Sequence, residues 1–182
     1  ATAPLARRNA LVELDSREFE EFLISGCAVQ RITPENTGGK TDVRVENVDP
    51  RMFFVNPYRD PRGWDITLTG MLHDMSMPEI INRFAEGSRA RARRLTELFG
   101  GLGDFYTESI VLGEGNGPIE FFRSSDDDRH RVIEVWSHEG HGKGPDAARL
   151  DFAWHCRWFA PDGTVLAEYT STYAHGSHPF AI

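Results

Sequence analysis

Cysteine and long apolar runs are both scarce in this sequence. Its two cysteines, Cys27 and Cys156, form no CxxC motif, so we expect two free, buried thiols, with a single disulfide as the alternative. No apolar run approaches the roughly 20 residues that cross a bilayer. The first residues also lack the apolar segment of a signal peptide. We therefore expect a cytoplasmic protein that has no membrane partner.

Positive charge is also in short supply. The chain has 20 Lys and Arg against 28 Asp and Glu, and its net charge is −8. Nucleic-acid-binding domains carry a basic surface, so this balance argues against DNA or RNA as the main partner. A chain of 182 residues is long enough to bury a core of its own. We predict a single domain over residues 1–182, with residues 1–14 as a loose N-terminal tail.

A short outer helix is predicted after this tail. Asp15 or Ser16 can cap it, because their side chains accept hydrogen bonds from the first backbone amides. Gly26 ends it. Its apolar residues share one face, at Phe19, Phe22 and Leu23.

Alternating apolar residues between turn-forming residues predict strands along much of the remaining chain. The last two strands are joined by the tight turn Ala160-Pro161-Asp162-Gly163. Three strands precede the long helix described next and five follow it. We expect them at residues 27–33, 41–48, 65–70, 105–112, 118–123, 129–137, 148–159 and 164–174.

The strongest helical pattern covers residues 77–99. Ser76 and Glu79 form a capping box, and Pro78 lies in the first turn, where no amide donor is needed. We expect Gly87 to be tolerated within the helix and Gly100 to end it. The apolar face is formed by Ile80, Ile81, Phe84, Ala85, Ala92, Leu95, Leu98 and Phe99. The predicted fold class is α+β, an antiparallel β-sheet wrapped around one long central α-helix.

Residues 49–64 form a loop that is unusually rich in aromatic residues. A polar loop has no need of so many large apolar side chains. The loop therefore either covers the domain's own core or forms a lid over an apolar ligand. Its aromatic residues are Phe53, Phe54, Tyr58 and Trp64.

The element order from about residue 43 to 174 resembles the hotdog-fold superfamily of thioesterases and dehydratases. The helix at 77–99, with Phe84 and Glu86, resembles the central helix of that family, and the hairpin at 149–172 resembles its closing hairpin. Many members carry Asp, Gly-His and two Asn before the helix. Here residues 67–76 lack the Asn pair, and the Asp is missing or displaced to Asp65 or Asp74. The resemblance implies an acyl thioester substrate and a homodimer or higher homo-oligomer.

Thioester chemistry needs a base or nucleophile and donors for the carbonyl oxygen. His73 and Asp74 stand before the predicted helix and are the first catalytic candidates, with capping of a solvated loop as the alternative. Asp65 is the displaced-acid candidate, and Glu86 is either a base facing a pocket or an exposed acid. Because the start of a helix offers free amides, the predicted carbonyl-binding residues are Met75, Ser76 and Met77.

Two further groups could bind substrate. The aromatic residues Phe54, Tyr58 and Trp64 could line the acyl site. Arg89 and Arg93 could bind the phosphates of coenzyme A or of a carrier-protein arm, or could form the exposed face of the helix. We expect no cofactor and no metal, because the histidines fall into no ligand set with the cysteines: His138, His141, His175 and His178.

The predicted function is therefore hydrolysis of an acyl thioester, carried by acyl-CoA or by an acyl carrier protein. One alternative is a related dehydratase or cyclase acting on a polyketide-like or hydroxyacyl substrate, in which His73 and a carboxylate transfer protons without attack by water. Another is a non-catalytic acyl-binding module.

Overall fold

The computed structural model describes residues 9–37, 40–60, 62–111, 119–142, 150–173 and 176–182. The chain is α+β with antiparallel sheets. It divides into two compact units, the first formed by Ala1–Thr69 with Ser171–Ile182 and the second by Gly70–Thr170. The assignment of residues 1–182 to a single domain stays a prediction. Within the described part of the chain, no helix is long and apolar enough to cross a membrane.

The chain contains four α-helices, one 3-10 helix and eight strands among its described residues. In chain order they are α1 (Leu11–Ser25), β1 (Gln30–Thr37), β2 (Lys40–Asn47), the 3-10 helix (Pro50–Met52), β3 (Phe53–Val55), β4 (Leu68–Met75), α2 (Met77–Phe84), α3 (Arg89–Val111), α4 (Ile119–Phe122), β5 (His130–Gly142), β6 (Leu150–Phe159), β7 (Val165–Thr170) and β8 (Phe180–Ala181).

The first unit is built on a three-stranded antiparallel sheet in the order β2-β1-β8. Pro34 in β1 stands opposite Val43 in β2, a position that suits proline because it needs no amide donor toward β2. Val29, Val48 and Phe180 are buried. The sheet is therefore covered on its apolar side, although it is only three strands wide.

Helix α1 begins earlier than the sequence predicted. It starts at Leu11, so residues 9–14 belong to the folded unit and the prediction of a loose tail over them was wrong. Residues 1–8 lie outside the described residues. Gly26 ends the helix with φ 75°, which confirms the predicted stop, since a left-handed residue at this position favours glycine.

The second unit contains the strands β4, β5, β6 and β7 in that spatial order. Since successive side chains of a strand point to opposite faces, this sheet has two distinct surfaces. We call one the tryptophan face, and it carries His73, Glu134, Trp136, Cys156 and Trp158. The other is the arginine face, and it carries Asp74, Arg131, Glu139 and Arg157.

Helix α2 packs on the tryptophan face. Its Ile80 is fully buried, and the ring of Phe84 lies 5.6 Å from the ring of Trp158. The capping box that begins this helix has the predicted form, with Ser76 and Glu79 joined by side-chain hydrogen bonds. A short helix with two large buried apolar residues is held mainly by this packing.

The prediction of one long helix over residues 77–99 was wrong. Helix α2 ends at Phe84, and the next residues include Glu86 with φ 49° and Gly87 with φ 74°. Two successive left-handed residues cannot belong to a right-handed helix. Helix α3 then starts at Arg89, after Ser88 has accepted the first backbone hydrogen bond from Ala92.

Helix α3 also runs past its predicted end. It continues through Gly100 and Gly101 to Val111, so the strand predicted at residues 105–112 was wrong over its described part. Glycine weakens a helix by about 1 kcal/mol relative to alanine but does not force it to stop. The pattern was misread because apolar and β-branched residues in this segment also suit a strand.

Two smaller differences and one confirmed prediction concern the rest of the chain. Strand β4 extends to Met75, so the prediction that His73, Asp74 and Met75 belong to a turn before the helix was wrong. Residues 119–122 form the short helix α4 instead of a strand. The hairpin between β6 and β7 is confirmed: Gly163 has φ 87°, and Asp162 accepts a hydrogen bond from the Thr164 amide.

We predict that Gly87→Ala lowers stability and that Gly100→Ala raises it. At residue 87 a side chain must adopt the left-handed conformation, which costs about 1 to 2 kcal/mol, whereas in α3 alanine gains up to about 1 kcal/mol. A Cβ at either position meets nothing within 4 Å, so no clash obscures the comparison. Urea unfolding measures both. Stabilisation by both variants would indicate a helix that continues through residue 87.

A second prediction concerns the ion pair of Glu139 and Arg157 on the arginine face. Hydrogen bonds from Arg157 and Ser137 lower the pKa of Glu139 from 4.5 to about 2. Because the folded-state pKa is depressed, this group stabilises the fold above about pH 4.5, and its contribution disappears as pH falls toward 2. We expect Glu139→Gln to lower the free energy of unfolding by about 1 to 2 kcal/mol at pH 7. The same variant should also reduce the loss of stability between pH 4.5 and pH 2, the acid limb of the stability curve.

Urea unfolding between pH 2 and pH 7 tests this prediction, because the contribution of Glu139 to stability changes with pH above its depressed pKa of about 2. The matched control is Glu168→Gln, because Glu168 is the other carboxylate bonded to Arg157, at 2.9 Å, and its side chain is half exposed. An acid limb as steep in Glu139→Gln as in the wild type would contradict the prediction.

Candidate functional site

The second unit contains a buried pair of titratable side chains on its tryptophan face. His73 lies on β4 and Glu134 on β5, and Nε2 of the imidazole is 2.8 Å from Oε2 of the carboxylate. Glu134 is fully buried, while His73 keeps 14% of its side-chain surface exposed. Burying a carboxylate is costly unless strong donors surround it. The pair therefore needs its hydrogen bonds in order to exist at this depth.

Trp136 supplies a second donor to the same carboxylate. Its indole Nε1 lies 2.9 Å from Oε1 of Glu134, and an indole N–H can only donate. With one oxygen accepting from Trp136, the other is placed to accept the Nε2 proton of His73. This assignment leaves Nδ1 of the neutral imidazole as a proton acceptor. Within the described residues, nothing bonds to Nδ1 of His73.

The imidazole lies against an aromatic wall. Its ring centroid is 4.8 Å from that of Trp158, the cross-strand partner of Glu134. The guanidinium of Arg83, on α2, stands 4.0 Å from the Trp158 ring, within the range of a cation–π interaction. Trp158 is therefore held between a helix and a strand, and it fixes the plane of the imidazole.

Tyr169 and Cys156 continue this face toward β7. They are cross-strand partners, and Cys156 is fully buried. The Tyr169 ring packs edge-on against Trp136 at 5.9 Å. Burial around the hydroxyl, the neighbouring Cys156 thiol and the charge of Glu134 together raise the pKa of Tyr169. The phenol therefore stays protonated and can donate a hydrogen bond.

Asp74 does not join His73, although the two are adjacent in sequence. Its carboxylate faces the other side of the sheet and binds Arg131 on β5, with a shortest distance of 2.7 Å. Arg131 is only 5% exposed as a side chain. Both residues were predicted to stand together just before the long helix. Since β4 extends through both, they point to opposite faces, and Asp74 neutralises a buried arginine.

The amides predicted to bind a carbonyl oxygen stand at the start of α2. Met75, Ser76 and Met77 are half-buried. The Ser76 amide donates to the Glu79 carboxylate at 2.7 Å, and this hydrogen bond lowers the pKa of Glu79. An ionised carboxylate therefore occupies the place where a carbonyl oxygen would develop negative charge. This arrangement is poor for an oxyanion hole, which must attract that charge.

The other two acidic candidates are exposed. Asp65 lies in the first unit and accepts the backbone amides of Arg59 and Asp60 at 2.7 and 3.2 Å, the first of which lowers its pKa. It thus organises its own loop. Glu86 is in the left-handed break after α2, has 73% of its side chain exposed and binds Arg91 at 2.5 Å.

The predicted substrate-binding residues fall into both units. Phe54 is half-buried, Tyr58 is 39% exposed, and Trp64 is 76% exposed with the guanidinium of Arg62 3.9 Å above its ring. These three lie in the first unit. Arg89 and Arg93 are exposed on α3 in the second. Arg89 also lines a groove of about 250 Å³ where α2 meets α3.

Sequence reasoning missed the residues that surround His73. Glu134 had a signal, because it interrupts the apolar run Val132-Ile133-Glu134-Val135-Trp136, and an acid in the middle of a buried strand calls for a partner. Trp158 and Tyr169 had none, since aromatic residues alternating along a strand usually fill a core. Only the strand order brings β4 beside β5.

The described residues give no sign of a metal site, because no three His, Cys, Asp or Glu side chains come together among them. His175 and its neighbour Ala174 lie outside the described residues. Both cysteines are free thiols, with Cys27 half-buried and Cys156 buried.

A scan against models of known protein families finds no match, and a search of curated proteins finds none either.

We predict that Glu134→Ala lowers the free energy of unfolding by about 3 kcal/mol and Glu134→Gln by about 1 kcal/mol. Alanine leaves the buried donors of His73 and Trp136 unpaired, whereas glutamine keeps an acceptor at the same place. Urea unfolding followed by tryptophan fluorescence measures both. Equal, small losses would show that the carboxylate does not hold these donors in solution.

Proposed function

We propose that the second unit is an enzyme of proton transfer, in which His73 is the general acid and base and Glu134 orients it. The observation that supports this most is the 2.8 Å bond between the partly exposed imidazole and the fully buried carboxylate. A histidine whose second nitrogen is fixed by a carboxylate has a defined tautomer and a fixed orientation, and its other nitrogen is left to accept a proton.

The reaction that best fits this pair is elimination of water from a hydroxyacyl thioester, or a related cyclisation. Nδ1 of His73 removes the proton next to the thioester carbonyl. The bond from the neighbouring carbon to its hydroxyl then breaks, and the imidazolium returns the same proton to the leaving oxygen as water. The products are an enoyl thioester and water, so no oxidant or further reactant is required. Glu134 stabilises the imidazolium in between.

The start of α2 places the same limit on elimination and on hydrolysis. Elimination passes through an enolate and hydrolysis through a tetrahedral oxyanion, and both put negative charge on the thioester oxygen, which needs donors. The Ser76 amide already donates to Glu79, whereas Tyr169, whose pKa is raised by burial, keeps a proton that it could donate. We place the dehydratase or cyclase reaction first because the imidazole alone can remove the proton and return it, with no water to bind.

The substrate class rests on two lines of support of unequal kind. Trp158 and Phe84 are buried beside His73 and make its surroundings apolar, which is compatible with an apolar acyl or conjugated group next to the exposed part of the imidazole. The thioester itself comes from the resemblance to hotdog proteins, and with it the proposal of a hotdog-like arrangement and of acyl-CoA or an acyl carrier protein as the carrier. Arg89 and Arg93, exposed on α3, could bind its phosphates.

Hydrolysis of an acyl thioester is the second candidate. The observation in its favour is the exposed 14% of the His73 side chain, which leaves room for a water molecule to reach the base. In that case Nδ1 deprotonates the water, which attacks the carbonyl, and the thiol leaves with a proton from the imidazolium. The two reactions use the same dyad and differ in the product that they release.

We predict that the wild-type protein converts 3-hydroxyacyl thioesters to enoyl thioesters, and that His73→Gln lowers kcat by a factor of about 10² to 10⁴. Glu134→Gln should lower it by a factor of about 10 to 10², because orientation is lost while the base remains. Ultraviolet absorbance follows the conjugated product, and a thiol reagent follows release of the carrier.

The matched control is Glu97→Gln, an exposed acid on α3 of the same unit, which should leave both rates unchanged. Thiol release without enoyl product would establish hydrolysis in place of elimination. A His73→Gln variant as active as the wild type would overturn the assignment of the dyad. If no thioester reacts and an acyl ligand still raises the melting temperature, the protein is a binding module.

A further inference from the structure

The edge strand β2 of the first unit carries side-chain caps on its main-chain hydrogen-bonding groups. β2 stands at one end of the sheet in the order β2-β1-β8. The side-chain amide of Asn9 donates to the Val43 carbonyl at 2.9 Å and accepts from the Val45 amide at 3.1 Å. The Val43 amide is bound by the Asp42 carboxylate at 2.9 Å. The amide group of Asn9 therefore occupies the place of a peptide group from a neighbouring strand.

The register with β1 explains why these groups face outward. Val43 pairs with Pro34, which has no amide proton, and Val45 pairs with Ile32. In an antiparallel ladder alternate residues bond to opposite neighbours. Val43, Val45 and Asn47 therefore direct both their N–H and C=O groups away from β1. A strand added at this edge would pair with these three residues.

The charged side chains of β2 in one copy of the chain are complementary to those of β2 in a second copy. In an antiparallel pairing centred on Val45, Arg44 of one copy stands opposite the partner's Glu46, and the same pair recurs on the other side of the two-fold axis. These are non-hydrogen-bonded positions, where side chains of facing strands lie closest. Arg44 and Glu46 are 56% and 41% exposed and bond to each other at 2.6 Å within one chain.

There is space beside the strand for such a partner. A groove of about 560 Å³ lies between α1 and β2, and Arg44, Val45 and Glu46 line it together with Leu14 and Arg17. A residue of an added strand fills roughly 160 Å³, given the strand rise, the strand spacing and the sheet thickness. The groove is therefore large enough for a short segment of strand beside Val45, with α1 still joined to this edge where Asn47 Nδ2 donates to the Leu14 carbonyl at 2.8 Å.

The cap itself is held under local strain. Ala10, next to Asn9, has φ 48°, a left-handed conformation that residues other than glycine seldom adopt. Release of Asn9 from the edge would let this residue relax. The cap is thus suited to exchange with an incoming strand.

We propose that β2 is a self-association surface, through which two copies of this chain pair as antiparallel strands centred on Val45, with Asn9 as a displaceable cap. Pairing replaces the contacts of Asn9 and Asp42 with main-chain bonds between residues 43–47 of the two copies. It also places Arg44 and Glu46, which bond to each other within one chain, opposite their counterparts of opposite charge in the other chain. The partner is a second copy because the charge pattern is self-complementary. This inference is independent of the function proposed for the second unit.

Sedimentation velocity over a concentration series of the full chain up to roughly 1 mM tests the surface. We expect Arg44→Glu and Glu46→Arg to weaken self-association about tenfold each, because every inter-chain pair becomes a pair of like charges. An equimolar mixture of the two variants should dimerise as the wild type does, since the two acidic side chains of one variant then face the two basic side chains of the other. Both variants lose the same ion pair within the chain, so they serve as matched controls for each other.

Two backbone variants complete the experiment. Asn9→Ala removes the cap and should tighten the dimer about tenfold. Val45→Pro removes an outward amide that β1 does not use and should abolish the dimer, with circular dichroism confirming that the variant folds. The inference is overturned if the charge variants each dimerise as tightly as the wild type, or if wild type and Asn9→Ala both remain monomeric over the whole series.

Discussion

The buried carboxylate of Glu134 is the constraint around which the second unit is organised. A carboxylate with no exposed surface must be surrounded by donors, and the chain supplies them from two strands, through His73 on β4 and Trp136 on β5. Filling the position with an apolar residue would be at least as stable in many proteins. A buried acid beside a partly exposed imidazole is therefore a candidate functional site on physical grounds.

The two faces of the same sheet handle charge in different ways. On the arginine face, Asp74 neutralises Arg131, and Glu139 and Glu168 both bind Arg157. These carboxylates are matched to arginines, whose charge does not titrate near neutral pH. On the tryptophan face the carboxylate is matched to a histidine, which has one ring nitrogen bonded to Glu134 and a second that can accept a proton. Only this second arrangement offers a side chain suited to the proton transfer proposed for His73.

Much of the local structure could be predicted from the sequence, because it depends on residues close together in the chain. The capping box of Ser76 and Glu79, the stop at Gly26 and the hairpin turn at Gly163 are all of this kind. The break after Phe84 was missed because Gly87 also fits an apolar helical pattern, and its left-handed backbone is decided by how the two helices pack. Strand β8, two residues long, is too short to produce a periodic pattern.

One member of the candidate site, His73, could be predicted from the sequence. The other, Glu134, could be identified only from the strand order. His73 stood out through its position before a helix, yet its predicted partner Asp74 faces away, since β4 continues through both residues and each successive side chain of a strand changes face. Glu134 is 61 residues distant along the chain. A sequence pattern can show that such an acid needs a partner, but the identity of that partner follows only from the sheet.

The break between α2 and α3 separates two groups of arginines that were predicted to lie on one continuous helix. Arg83 remains on the short helix, where its guanidinium packs on Trp158 and contributes to the aromatic wall behind His73. The arginines at the start of α3 are exposed, and Arg91 binds Glu86 in the break itself. On a continuous helix these arginines would lie on neighbouring faces and would all be near the same packed surface. Because the axis is interrupted at Gly87, one arginine can be part of the packed site while the others stay accessible to solvent and to anions.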